Sequence, residues 1–134
     1  MKIEEPSIAF TIAKAVKDFD ASLQLFGLSG SHSIKEAEKI GLFTLNEVFA
    51  DRTYQDDGSL TPRSQPNALI EVEDMAVKQA MQMITQQTVT STNGKIIPII
   101  AETICLHGDG PNAVHFAKAI STALKKANIV IKKN

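Results

Sequence analysis

The chain has little that would commit it to nucleic acid, to a membrane or to an oxidising compartment. Its charge is nearly balanced, with 14 Lys and Arg against 15 Asp and Glu and a formal net charge of −1. No basic footprint argues for nucleic acid, and no polybasic segment argues for a lipid surface. One cysteine, Cys105, lies in an apolar run and has no partner for an internal disulfide, which predicts a reducing, cytoplasmic setting. No apolar stretch reaches the roughly 18 residues of a membrane span. The opening Met1 to Pro6 is acidic and lacks the apolar core of a signal peptide. A phosphate-binding glycine loop, a Ser–His–Asp order and a zinc-type ligand spacing are all missing, and the three histidines are dispersed. At 134 residues the length suits one domain, 1–134, and is too short for two.

What is present is an alternation of short apolar runs and helical periodicities. Pro6 to Phe19 places Ile8, Ile12, Val16 and Phe19 on one helical face, with Pro6 suited to the first turn. Ser22 to Leu28 reads as a buried strand. Ser33 and Glu36 have capping-box spacing for a short helix that Gly41 closes, and Thr44 to Phe49 reads as a second strand. Asp51 to Pro66 shows neither period and is a long loop, of a length that in compact domains is functional or disordered. Glu73 to Gln87 is helical, its methionines Met75, Met81 and Met83 serving as core or interface filler. Thr88–Thr90 and Lys95–Ile97 flank the turn Ser91-Thr92-Asn93-Gly94 as a β-hairpin, which Pro98 keeps at an edge. Ala101 to Leu106 is a buried strand, and Pro111 opens a last helix to Asn128 with Ala113, Phe116, Ala117, Ile120, Leu124 and Ala127 as its apolar stripe. Strand–helix alternation predicts an α/β fold with about three parallel strands, outer helices and a β-hairpin.

Chemistry-bearing residues gather at the ends of the predicted strands, where α/β folds place their sites. His107-Gly108-Asp109 follows the last strand, its glycines permitting close backbone approach and the next helix offering free N–H groups to an anion. The plainer readings are a helix cap for Asp109 and a structural histidine. Glu47, at the end of the second strand, suits a base, a ligand or an orienting group, and Asp51 and Arg52 either join the site or form a surface ion pair. In the loop, Pro62 and Pro66 stiffen Arg63, Ser64 and Gln65, and Arg63 suits a bidentate clamp on a carboxylate or phosphate, unless the segment is simply solvated.

The runs Glu47-Val48-Phe49-Ala50-Asp51-Arg52-Thr53-Tyr54, Asp57-Gly58-Ser59-Leu60, Pro62-Arg63-Ser64-Gln65-Pro66 and Thr103-Ile104-Cys105-Leu106-His107-Gly108-Asp109 resemble the LamB/YcsF family, in order and with matching spacing from about Ala13 to Ala127. The resemblance implies a partial (β/α) barrel of the glycoside hydrolase/deacetylase type, corresponding to the C-terminal half of a larger barrel. It implies a component of an ATP-dependent 5-oxoprolinase that opens 5-oxo-L-proline to L-glutamate, with ATP used through a complex with two partner subunits. The same resemblance puts Glu47, Asp51, Arg52, Arg63, His107 and Asp109 in the site region. His107 or Asp109 is expected to transfer protons, Glu47 to orient, and Arg63, with its neighbours Ser64 and Gln65, to hold a substrate carboxylate or phosphate. Two departures stand out: Glu102 replaces the family's usual Asp, and the aspartate- and histidine-bearing motifs of the family's N-terminal half have no counterpart. The chain is therefore expected to need a complementing N-terminal half or to self-associate. The alternatives are a catalytically inactive oligomeric interaction module and, less in keeping with the missing histidine motifs, a metal-dependent amide hydrolase.

Overall fold

The fold is built from strand–helix units in the order that the sequence predicts. The computed structural model describes residues 5–132 and contains α1 (Pro6–Phe19), β1 (Gln24–Leu28), α2 (His32–Lys39), β2 (Phe43–Phe49), α3 (Glu73–Gln86), β3 (Thr88–Thr90), β4 (Ile96–Pro98), β5 (Thr103–Cys105) and α4 (Ala113–Lys126). β1, β2 and β5 form a parallel sheet with β2 in the middle. β3 and β4 form a separate antiparallel ribbon, with Val89 opposite Ile97, and its turn depends on Gly94 at φ +80°, a left-handed conformation that glycine takes without steric cost. No described helix is long and apolar enough to cross a membrane.

Side chains on a strand alternate between the two sheet faces. Leu25 of β1 packs with Ala13, Ala37 and Leu42 on the side of α1 and α2. Ile104 of β5 packs with Ala50, Ala80, Ile120 and Leu124 on the side of α3 and α4. Glu47 pairs with Thr103 and Phe49 with Cys105, so these four share the opposite face. α2 lies hard against β1 because position 27 is glycine: a Cβ there would stand 3.1 Å from Ser33 Cβ and 3.2 Å from Ile34 Cδ1.

The long loop is ordered. Tyr54 is fully buried with Val48, Met83, Val89, Ile97 and Ile99, and bridges join Arg52 to Leu69 and Tyr54 to Leu60. Asp56 ties the loop to the hairpin turn by accepting from Ser91 Oγ at 2.5 Å and from Asn93 Nδ2 at 3.2 Å.

Several local expectations are corrected. The inward residues of α1 are Ala9 and Ala13, whose small side chains allow α2 close, whereas Ile8, Ile12 and Phe19 are exposed. β1 is an edge strand with only Gly27 fully buried, and β5 is half-buried throughout. The N-cap of α2 is Ser31 and not Ser33, and its side chain makes no capping bond. Among the methionines, Met83 is core and Met75 is exposed. α4 starts at Ala113, two residues after Pro111, and Ala117 and Ala127 face solvent.

Candidate functional site

Because β2 and β5 are parallel neighbours in register, their C-terminal extensions bring Asp51 and His107 together. Asp51 accepts the His107 backbone N–H at 3.0 Å through Oδ2, and its carboxylate lies 2.9 and 3.0 Å from His107 Nδ1. A carboxylate only accepts, so this contact places a ring proton on Nδ1, and in the neutral ring Nε2 is the lone-pair nitrogen. The Phe49 ring stacks on the imidazole at a centroid distance of 5.6 Å and an interplanar angle of 13°, which fixes the ring plane. His107 remains 28% and Asp51 13% exposed at the side chain, partly desolvated yet open to a ligand.

The Asp51 backbone is held as firmly as its side chain. Its carbonyl accepts from the Ile70 N–H at 2.9 Å. Gln79 of α3 donates Nε2–H to the carbonyls of Phe49 at 3.0 Å and Arg52 at 2.7 Å, with that of Ala50 at 3.5 Å. Tyr54 supplies a third support, its hydroxyl accepting the Phe49 N–H at 2.9 Å, and burial keeps that phenol well above the usual tyrosine range. The sequence marks neither Gln79 nor Tyr54 as a support of the site. Both lie far along the chain or in the loop, and nothing in their local pattern announces contact with a strand end.

The other candidates distribute over two clefts. The smaller, about 460 Å³, is lined by Asp51, His107, Asp109, Arg63 and the start of α4. The larger, about 1010 Å³, is lined by Glu47, Phe49, Arg52, the Gly27–Ser33 turn and Arg63. Arg63 borders both, whereas Ser64 and Gln65 are exposed and line neither. Asp109 is exposed and does not cap α4, whose N-cap residue is Asn112. Gly108 and Gly110 face open space and hold no left-handed conformation. Arg52 is not a surface ion-pair residue either: it is 7% exposed and donates from Nη2 to the Thr61 carbonyl at 2.8 Å. Glu102 accepts from the Asn46 N–H at 2.7 Å and from Asn46 Nδ2 at 2.8 Å, and Asn46 Oδ1 in turn accepts the Gly30 N–H at 3.0 Å. The longer side chain thus serves the turn after β1.

Burial raises the Glu47 carboxyl above its ordinary value, against a smaller opposing pull from His107. Burial also raises the Cys105 thiol, assisted by Glu47 and Asp51, so Cys105 stands as a thiol and not a nucleophilic thiolate. A carboxyl raised by folding favours the folded state below its unfolded pKa and loses that contribution as pH rises through the folded one. Glu47→Gln is therefore expected to raise Tm relative to the parent at pH 7, with the gap closing toward about pH 4 as Glu47 becomes neutral in both states. A thermal-melt series across pH checks this, and a gap that widens in acid would contradict it. Among the described residues no three His, Cys, Asp or Glu side chains converge as a group that could hold a metal ion.

Comparison with known proteins gives a consistent result. Residues 1–134 match the LamB/YcsF family. A 5-oxoprolinase subunit from Bacillus subtilis is 50% identical over 131 residues, covering 98% of this chain and 51% of that protein. Its Tolumonas auensis counterpart is 48% identical over 132 residues, covering 98% and 53%. The crystal structure of a lactam utilization protein from Thermus thermophilus superposes with a TM-score of 0.86 at 35% identity, covering 96% of this chain and 51% of that one. The chain spans about half the length of the curated relatives it matches.

Proposed function

The chain belongs to the LamB/YcsF family, and from that premise we propose that it forms one wall of a 5-oxoprolinase site, where 5-oxo-L-proline is opened to L-glutamate with ATP and two partner subunits. The observation that carries the reading is the Asp51–His107 pair at the ends of β2 and β5. A lactam is a stable amide, and water attacks it slowly unless a base takes the water's proton as the C–N bond weakens. His107 Nε2, with its tautomer set by Asp51 and its ring plane set by Phe49, is that base. General-base assistance of this kind contributes about 10²–10⁴-fold. The proton that His107 takes from water then passes to the leaving nitrogen, with Asp109, exposed in the same cleft, as its relay. Arg63, between the clefts, binds the substrate carboxylate, and Glu47 orients the substrate from the larger cleft.

A phosphate group fits the far wall of the larger cleft. Ser31 Oγ is buried there without a partner among the described residues, the first turn of α2 has no side-chain cap, and Lys35 lines the same wall. Ser31 and Lys35 would hold that group. ATP would supply activation of the lactam carbonyl by phosphorylation.

The test is reconstitution of the chain with the half of the family fold it does not span and with both partner subunits, reading ATP-dependent glutamate release. Release that falls at least about 100-fold on His107→Ala supports the proposal. Full activity in that variant, or no release with every component present, goes against it. The second outcome favours an interaction module, a reading that the exposed Ile8 and Phe19 of α1 support.

A further inference from the structure

Gln79 is a polar residue on the apolar face of α3. That helix turns Ala76, Ala80 and Met83 into the core, and position 79, three residues after Ala76 and four before Met83, lies on the same side. A primary amide on such a face is costly unless it is hydrogen-bonded. Its Nε2 donates to the carbonyl of Arg52 at 2.7 Å and to that of Phe49 at 3.0 Å, with that of Ala50 at 3.5 Å. Ala76 and Ala80 are fully buried, and their small side chains let the helix come close enough for the amide to reach the chain beyond β2. The last residue pair of the β2–β5 ladder is Phe49 with Cys105. Past that point the backbone carbonyls need donors from outside the sheet.

The two carbonyls bound at shorter range bracket Asp51, and one of them belongs to Phe49. Those are the residues that set the imidazole: the Asp51 carboxylate meets Nδ1 at 2.9 and 3.0 Å, and the Phe49 ring stacks on the ring face. We propose that Gln79 is a positioning residue for the Asp51–His107 pair. Its donors fix the turn after β2, and the fixed turn holds the carboxylate on Nδ1 and the phenyl ring on the imidazole. Without them the Asp51 carbonyl still accepts the Ile70 N–H and the Phe49 N–H still reaches the Tyr54 hydroxyl. The turn then loosens without coming apart, and the cost falls on the geometry of the pair. The effect on turnover rests on the role given above to His107, whereas the effect on its ring does not.

Two variants test this. Gln79→Met keeps the length of the side chain and removes the donors, and Gln79→Glu keeps its shape but, once ionised, only accepts. One replaces the amide with an apolar group and the other with a charge, so a change common to both reports the lost donors. Nitrogen-15 spectra of His107 in the chain alone are expected to shift from the Nδ1–H form toward the Nε2–H form in each, because the tautomer follows the hydrogen bond that the ring makes. In the reconstituted assembly kcat is expected to fall by about 10²-fold with little change in KM. Gln82→Met is the control: Gln82 is an amide on the same helix that donates to the hydroxyls of Thr88 and Thr90 at 3.2 and 3.1 Å. It should lower Tm much as Gln79→Met does and leave the spectrum and kcat as in the parent. An unchanged tautomer in the Gln79 variants, or the same shift in Gln82→Met, would overturn the inference. A shifted tautomer with unchanged kcat upholds the positioning and removes only the base role of His107.

Discussion

Asp51→Asn is expected to lower the rate of the proposed 5-oxoproline opening in the reconstituted assembly by about 10²–10⁴-fold while the chain stays folded. Asp51 presents acceptors to both the backbone N–H and the Nδ1–H of His107. Asparagine keeps the shape but has one acceptor oxygen and one NH₂ donor. With the oxygen on the backbone N–H, the NH₂ faces Nδ1, which must then accept, and the ring proton moves to Nε2. The nitrogen meant to act as base is thereby occupied. The loss should fall on kcat with little change in KM, because the interaction matters as the water proton is transferred and not as substrate binds. Nitrogen-15 spectra of His107 give an independent reading: the Nδ1–H form dominates in the parent and the Nε2–H form in the variant. An unchanged kcat, or an unchanged tautomer, rules out the role given to Asp51.

The largest stability effect is expected at Tyr54. Its ring is wholly buried among Val48, Met83, Val89, Ile97 and Ile99, so it joins the loop, α3 and the β3–β4 ribbon to the back of β2. Tyr54→Ala leaves a cavity there and is expected to cost about 3–5 kcal/mol, a large share of the roughly 5–15 kcal/mol that hold a domain together. Tyr54→Phe isolates the hydroxyl. It keeps the packing and removes the acceptor of the Phe49 N–H, for about 1–3 kcal/mol. Urea unfolding of both variants checks the order. Equal effects in the two would mean that the ring contributes nothing beyond its hydroxyl.

The sequence made the element order legible because strands and helices here are marked locally. Ser91-Thr92-Asn93-Gly94 identified the ribbon, and the short apolar run ending at Phe49 identified the central strand. Faces were harder. The stripe Ile8, Ile12, Val16 and Phe19 has helical period, but period does not say which side of a helix meets a neighbour, and the alanines Ala9 and Ala13 turned out to be the contact side. The Ser33–Glu36 spacing offered a cap for α2, but the helix that buries Ile34 and Ala37 begins at His32, and its N-cap residue Ser31 makes no side-chain capping bond. At the site, strand ends pointed to Asp51, His107 and Glu47 one at a time. The pairing of Asp51 with His107, in place of the neighbouring Asp109, depends on β2 and β5 being adjacent, and nothing local encodes that adjacency. Gln79 escaped for the same reason, since one amide reaching three carbonyls leaves no trace in its own helix.

The distance along the chain between Asp51 and His107 has a kinetic meaning. The two are 56 residues apart, with the loop, α3 and the ribbon between them. Closing a loop of that size costs entropy that grows as (3/2)RT ln n, and this must be met before the contact yields anything. Parallel pairing of β2 with β5 is likewise non-local, a topology that slows folding. The imidazole and its carboxylate therefore meet only after the intervening elements have settled, so the His107 ring signal, followed during refolding, reports completion of this fold more faithfully than helix content does.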